Sequence, residues 1–262
     1  MKSVEIRNIK IGEGRPKVCV PLTGGSMAEV LEEARAVLGL PVDMIEWRAD
    51  YFRDVEDPGA LTACLRELRG VLGDLPLLFT LRSEVERGAF SGSGRQYASI
   101  VGTAASSGCV DLVDVELARC EAGVADSTGA TDIIGAAHEC GVRVVASYHD
   151  FDATPAKDKL IEIFCSMQSH DADILKIAVM PRSHEDVFIL MDATEEASKL
   201  CVDRPVVGIS MGELGRISRE KAEAIGSSIC FAAGPFGGSA PGQIAAGEMS
   251  EILRIIHEHS QD

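Results

Sequence analysis

The chain has 262 residues, of which 46% are apolar and 25% charged, and its formal net charge is -16 at pH 7. An acidic excess of this size repels polyanions and no basic block meets a phosphate backbone, so nucleic acid is excluded as a partner, while a small anion stays possible only where Arg or Lys is placed locally. No uncharged apolar stretch reaches about 18 residues, which excludes a membrane helix.

The opening segment MKSVEIRNIKIGEGRPK mixes charges through its first strand-like run and has no apolar core before a small-residue cleavage site, so a cytoplasmic location is expected. Cysteines occur at positions 19, 64, 109, 120, 140, 165, 201 and 230, with no C-x-x-C pair and no histidine at ligand spacing. They read as reduced packing thiols, and neither a metal nor a cofactor is expected.

From residue 17 onward, short β-branched runs alternate with amphipathic stretches. The runs are KVCVPL (17–22), MIEWRAD (44–50), PLLFTLRS (76–83), CVDLVDVEL (109–117), RVVASYHD (143–150), ADILKIAVM (172–180), PVVGISMG (205–212) and SICFAAGP (228–235). Helical patterns between and after them include SMAEVLEEARAVL, DPGALTACLRELRGVL, SHEDVFILMDATEEASKL and QIAAGEMSEILRIIHEH. Ser26 with Glu29, and Thr154 followed by Pro155, mark helix starts. Eight strand–helix units without a linker or composition break predict an α/β protein, a single (β/α)8 TIM barrel over residues 1–262, with residues 1–16 as a hairpin or strand over the barrel bottom. An open doubly wound sheet is the alternative.

In a closed barrel alternate strand residues point inward, and those at the C-terminal ends face the mouth. Glu46, Arg48 and Asp50 share one parity against Ile45, Trp47 and Ala49. Thr80 and Arg82 oppose Phe79 and Leu81; Asp114 and Glu116 oppose Val113 and Val115; Ser147 and His149 oppose Val144, Ala146 and Tyr148. Lys176 shares the inward parity with Ile174 and Ala178, so its ammonium is expected in a polar pocket with Glu46, Arg48, Arg82, Asp114, Glu116 and His149. Burying so many ionisable groups costs several kcal/mol each unless all are paired, which favours a functional over a structural explanation.

A lysine crowded by arginines and partly desolvated is expected to titrate low and to attack carbonyls as a free amine. His149 titrates near working pH and can move protons beside an imine. Asp150 reads as a turn residue, Glu84 as surface, and Glu86 as a partner that fixes the His149 tautomer. After the seventh run, MGELGRISRE places Arg216 and Arg219 three apart at a helix start, where a guanidinium can hold a carboxylate through two parallel bonds. After the eighth, GPFGGSAPGQ reads as a flexible loop whose NH groups, Ser239 and Gln243 close over a ligand; it is not a dinucleotide or P-loop motif.

EWRAD, LFTLRSEVERG, VDVEL, SYHDFDATP, ILKIAVMP, ISMGELGRISR and SAPGQ, in this order over nearly the whole chain, closely resemble the type I 3-dehydroquinate dehydratases. The resemblance implies a (β/α)8 fold and syn dehydration of 3-dehydroquinate to 3-dehydroshikimate in the shikimate pathway of aromatic amino-acid biosynthesis, without metal or added cofactor. It implies that Lys176 forms the Schiff base and that His149 removes the C2 proton and later protonates the departing hydroxyl, with Glu86 paired to the histidine. By the same likeness Glu46, Arg48 and Arg82 hold substrate, Arg219 clamps its carboxylate, Ser239 and Gln243 come from the closing loop, and Met211 and Phe231 are apolar walls. Members are commonly homodimers. Pro21 stands where some members have serine and Ile209 where some have methionine, the loop 234–238 differs in length and composition, and no fused second catalytic domain is expected. A lysine-imine aldolase acting on phosphosugars and a catalytically silent barrel are the rival readings; the first wants a phosphate nest after strands seven and eight, the second the loss of Lys176 or His149.

Overall fold

The computed structural model describes residues 2–118 and 133–260. It opens with an antiparallel hairpin of β1 (Val4–Ile6) and β2 (Ile9–Ile11). Eight parallel strands follow: β3 (Lys17–Leu22), β4 (Met44–Arg48), β5 (Leu77–Thr80), β6 (Leu112–Glu116), β7 (Arg143–Asp150), β8 (Ile174–Val179), β9 (Val206–Ser210) and β10 (Ile229–Phe231). Each pairs with its successor up to β9, and β10 returns to pair with β3. The last gap is bridged where Ser228 N–H donates to the Val206 carbonyl at 2.8 Å. This closure excludes the open doubly wound sheet, whose first and last strands would lie on opposite edges.

Several strands are shorter than their apolar runs. Arg82 and Ser83 lie beyond the end of β5, and residues Ala49–Tyr51 turn into a 3-10 segment after β4. The outer helices are α1 (Met27–Val37), α2 (Pro58–Leu72), α3 (Gly94–Ser106), α4 (Ile133–Glu139), α5 (Lys157–Ser169), α6 (His184–Glu196), α7 (Arg216–Glu220) and α8 (Ala246–His259). Ser26 caps α1 by accepting from Glu29 N–H. The other predicted start is corrected: α5 begins after Ala156, with no side-chain cap, and the Thr154 hydroxyl donates to the Met180 carbonyl, so Thr154 ties its loop to the end of β8.

The two-residue period of the strands separates two cores. Val20, Ile45, Trp47, Phe79 and Val113 face outward and pack with Val30, Ala34, Leu61, Leu65 and Leu68 of the helices. Contact there is close: a Cβ on Gly208 of β9 would fall 2.0 Å from Thr194 Oγ1 of α6. Facing inward at the N-terminal ends, Cys19, Met44, Leu78, Leu112, Val145, Ile174, Val207 and Ile229 form an apolar plug with Val4, Ile6 and Ile11 of the hairpin. The opening segment therefore seals the bottom, and the polar inward residues above the plug open only toward the C-terminal mouth. Of the cysteines, Cys19, Cys64 and Cys230 are buried, but Cys140 and Cys165 are exposed, so packing does not account for all of them; Cys120 lies outside the described residues.

Candidate active site

One cavity, enclosing about 620 Å³ including its opening, sits at this mouth. Its floor is Lys176, from the middle of β8, which is 5% exposed; its Nζ lies 4.3 Å from the centre of the Phe231 ring and 3.5 Å from Asp114 Oδ2. Glu46 on β4 accepts from Thr80 Oγ1 at 2.8 Å. Arg48 is held by two bonds of 2.8 Å to Asp50. Arg82 sends Nη1 to Glu86 Oε2 (2.8 Å), Ser147 Oγ (2.9 Å) and Glu116 Oε1 (3.3 Å), and Nη2 to Asp114 Oδ1 (2.8 Å). Burial alone would lower Arg82, but these carboxylates outweigh it and hold the guanidinium well above its usual 12.5.

His149, near the end of β7, meets Glu86 Oε2 through Nδ1 at 2.7 Å. Burial, with Arg82, Lys176 and Arg48 nearby, pushes the imidazole well below 6.5, so it is neutral at physiological pH. Burial also pushes Glu86 up to about 8, against the pull of Arg82. Arg82 and Nδ1 approach the same oxygen of Glu86. An oxygen that already accepts from a guanidinium accepts from the imidazole too, which puts the ring proton on Nδ1 and leaves Nε2 a free base.

The roof comes from two loops. Gly212 N–H donates to the Pro241 carbonyl, and Gly242, at φ 76°, approaches so closely that a Cβ there would meet the Gly212 carbonyl oxygen at 2.2 Å. This contact seats Ser239, Ala240 and Gln243 on the cavity, where Ser239 N–H donates to Gln243 Oε1. Arg219 reaches in from α7 and is 2% exposed; Nη1 donates to the Phe231 carbonyl at 3.1 Å, while Nε has no acceptor. No carboxylate of the described residues forms an ion pair with it, and burial lowers it to about 10. A buried guanidinium facing a cavity without its counter-ion is a seat for an anion.

This arrangement of amine, imidazole and guanidinium accompanies a match to known proteins along the chain. The family model described as Type I 3-dehydroquinase matches residues 18–260. The chain belongs to the type I 3-dehydroquinase family. Among its relatives, the 3-dehydroquinate dehydratase of Clostridioides difficile (strain 630) is 40% identical over 257 residues, covering 98% of each chain. That of Bacillus licheniformis is 42% identical over 258 residues, covering 98% of this chain and 99% of the relative. Of solved structures, the 3-dehydroquinate dehydratase of Geobacillus kaustophilus HTA426 superposes with a TM-score of 0.92 at 38% identity, covering 99% and 98% of the two chains. The Clostridium difficile enzyme with covalently modified comenic acid gives 0.90 at 40% identity, covering 98% of each.

Within this type I 3-dehydroquinase barrel, Lys176, His149, Glu86, Glu46, Arg48, Arg82, Arg219, Ser239, Gln243, Met211 and Phe231 all line the one cavity. Of the residues expected around Lys176, Asp114 meets its ammonium, and the nearby Arg48 and Arg82 are themselves paired with acids. Glu116 does not approach the amine: its two oxygens accept from Ser83 N–H and Oγ at 2.7 Å, fixing the turn after β5. Arg216 points away, to Glu220 and Glu248. Asp150 accepts from the N–H groups of Asp152 and Ala153, as a turn residue.

Arg87, Phe151 and Ala240 line the cavity as well, and the sequence pattern assigned none of them to it. Phe151 stacks on His149 with centroids 6.3 Å apart, and Arg87 lies over the Phe151 ring at 5.5 Å. Ala178, which shares the inward parity of Lys176 on β8, lines the cavity too, whereas Arg87, Phe151 and Ala240 lie in loops outside any strand period. Pro21 lines a separate small recess with Phe236 and Gly234, whereas Ile209 does face the cavity.

Proposed function

We propose that the protein dehydrates 3-dehydroquinate to 3-dehydroshikimate through an imine on Lys176. Nζ attacks the ketone carbon and the carbonyl oxygen leaves as water. The resulting iminium draws electrons from the adjacent C2–H bond while His149 Nε2 takes that proton. The enamine so formed expels the β-hydroxyl, which receives the same proton from His149 and leaves as the second water molecule. Water then hydrolyses the iminium, releasing the enone and restoring the amine. Glu86 keeps the Nδ1 proton in place throughout, Glu46 and Arg48 hold hydroxyls, and Ser239 with Gln243 closes the roof.

The observation that carries this reading is Arg219, a cavity-facing guanidinium without a counter-anion among the described residues, in the same enclosure as Lys176 and His149. That combination calls for a substrate with a carboxylate as well as a ketone. Borohydride reduction of the protein with 3-dehydroquinate is expected to add the substrate's mass to Lys176, and the enone's ultraviolet absorbance to rise without reductant; a folded, substrate-exposed protein whose Lys176 peptide is unmodified refutes the imine. The same reading makes residues 1–262 one catalytic barrel domain of the shikimate pathway, acting in the cytoplasm as a homodimer. Among the described residues no helix is long and apolar enough to cross a membrane, and no group of three His, Cys, Asp or Glu could hold a metal ion.

A further inference from the structure

Asp114 divides its carboxylate between two tasks. Oδ1 accepts from Arg82 Nη2 at 2.8 Å and from Ser147 Oγ at 2.7 Å. Oδ2 is buried and receives no hydrogen bond, and it lies 3.5 Å from Lys176 Nζ. Ser147 sits on β7, between Asp114 on β6 and Lys176 on β8, and is level with Lys176 across the β7–β8 ladder. The two donors to Oδ1 thus aim the second oxygen at the amine. A buried carboxylate oxygen without a donor is costly unless a positive charge faces it.

We propose that Asp114 is the fixed counter-anion of the reaction, holding the Lys176 ammonium at rest and stabilising the iminium that the same nitrogen becomes. The proposal rests on the imine reading above and adds a residue to it. No other described element offers Nζ such a partner. Cys19 on β3 is kept a thiol by burial, Glu46 on β4 holds Thr80, and Arg82 after β5 is occupied by acids. His149 on β7 is neutral, β9 and the residue after it offer Val207, Ile209 and Met211, and β10 offers the face of Phe231. Among the described residues, Asp114 is the one carboxylate within 4.0 Å of Nζ. Burial pushes its carboxyl up, but Arg82, Lys176 and Ser147 outweigh that and hold it below its usual 3.8, so it stays an anion while charge appears and disappears on the nitrogen. An iminium withdraws electrons only while it is positive, and in a site shielded from water a preoriented anion stabilises that charge without reorganising.

The test is Asp114→Asn, which preserves shape and removes charge, with circular dichroism to establish folding. Borohydride trapping of 3-dehydroquinate on Lys176 is measured against pH in parent and variant. The ammonium of the variant has lost its counter-ion, so the acid limb of its trapping profile is expected at least one pH unit lower. Its kcat is expected to fall about 10²- to 10³-fold with KM changed only a few-fold. Superimposable trapping profiles, or a kcat within threefold of the parent, overturn the proposal and leave Asp114 a structural partner of Arg82. Failure of the parent itself to be trapped overturns the imine reading instead. If Asp114→Asn does not fold, Asp114→Asn combined with Lys176→Met removes both charges together and is expected to restore folding; a double variant that also fails to fold assigns the carboxylate to Arg82 and overturns the proposal.

Discussion

Replacing Arg219 by Met separates the energetics of the site from those of the fold. In the unliganded protein this guanidinium is 2% exposed and burial lowers it from 12.5 to about 10. At about 1.4 kcal/mol per tenfold, that fall corresponds to an uncompensated desolvation on the order of 3 kcal/mol. The sign follows from the direction: a cation whose folded pKa lies below its unfolded one penalises folding at every pH below about 10, and the penalty fades only as pH rises toward 12.5. Methionine removes the penalty but leaves the Phe231 and Pro241 carbonyls without their donor, at about 1 kcal/mol each. Arg219→Met is therefore expected to be neutral or stabilising, by about 1 kcal/mol, in urea titrations at pH 7. Turnover should move the other way, because the anion seat is gone: a charge-assisted, bidentate contact is worth several kcal/mol in a buried site, so kcat/KM for 3-dehydroquinate should fall by about 10²- to 10³-fold. A variant destabilised by more than about 2 kcal/mol with unchanged kcat/KM would refute the argument, since Arg219 would then be part of the fold and not a seat for substrate.

His149→Ala should still be trapped on Lys176 by borohydride, while its turnover drops by at least about 10²-fold; near-normal turnover removes the imidazole from the mechanism. Glu86→Ala removes the oxygen that accepts from Nδ1 and so releases the ring proton to either nitrogen; kcat should fall by at least about 10-fold with KM little changed, and an unaltered kcat would show that the tautomer does not matter. Because burial and the neighbouring cations push His149 well below 6.5, the base stays unprotonated through neutral pH, and the acid limb of kcat/KM should lie below pH 6.5; a limb centred above 7 contradicts the assignment.

Much of this arrangement is legible in the amino-acid sequence because strand alternation is local. Apolar and polar side chains alternate through residues 45–50 and 113–117, so the inward set containing Glu46 and Asp114 follows from the period, while Lys176 is a single charge in an apolar run whose parity, shared with Ile174 and Ala178, turns it inward. Closure of the barrel, and with it the choice between inward carboxylates, is decided only by tertiary structure. Asp114 and Glu116 have the same parity, yet one faces the amine and the other fixes a turn after β5, because register between strands decides which side chains share a level. Arg82 likewise meets two acids of the neighbouring strand β6, Asp114 and Glu116, and no period within one segment describes a contact between strands. The loops carry still less: Arg216 and Arg219 are alike on paper, and only the packing of α7 against β10 and the Pro241 turn sends one to solvent-facing acids and the other into the cavity. Covalent order dictates which way a side chain leaves its strand; what it meets there depends on segments far away in the chain, brought close by burial of the two apolar cores.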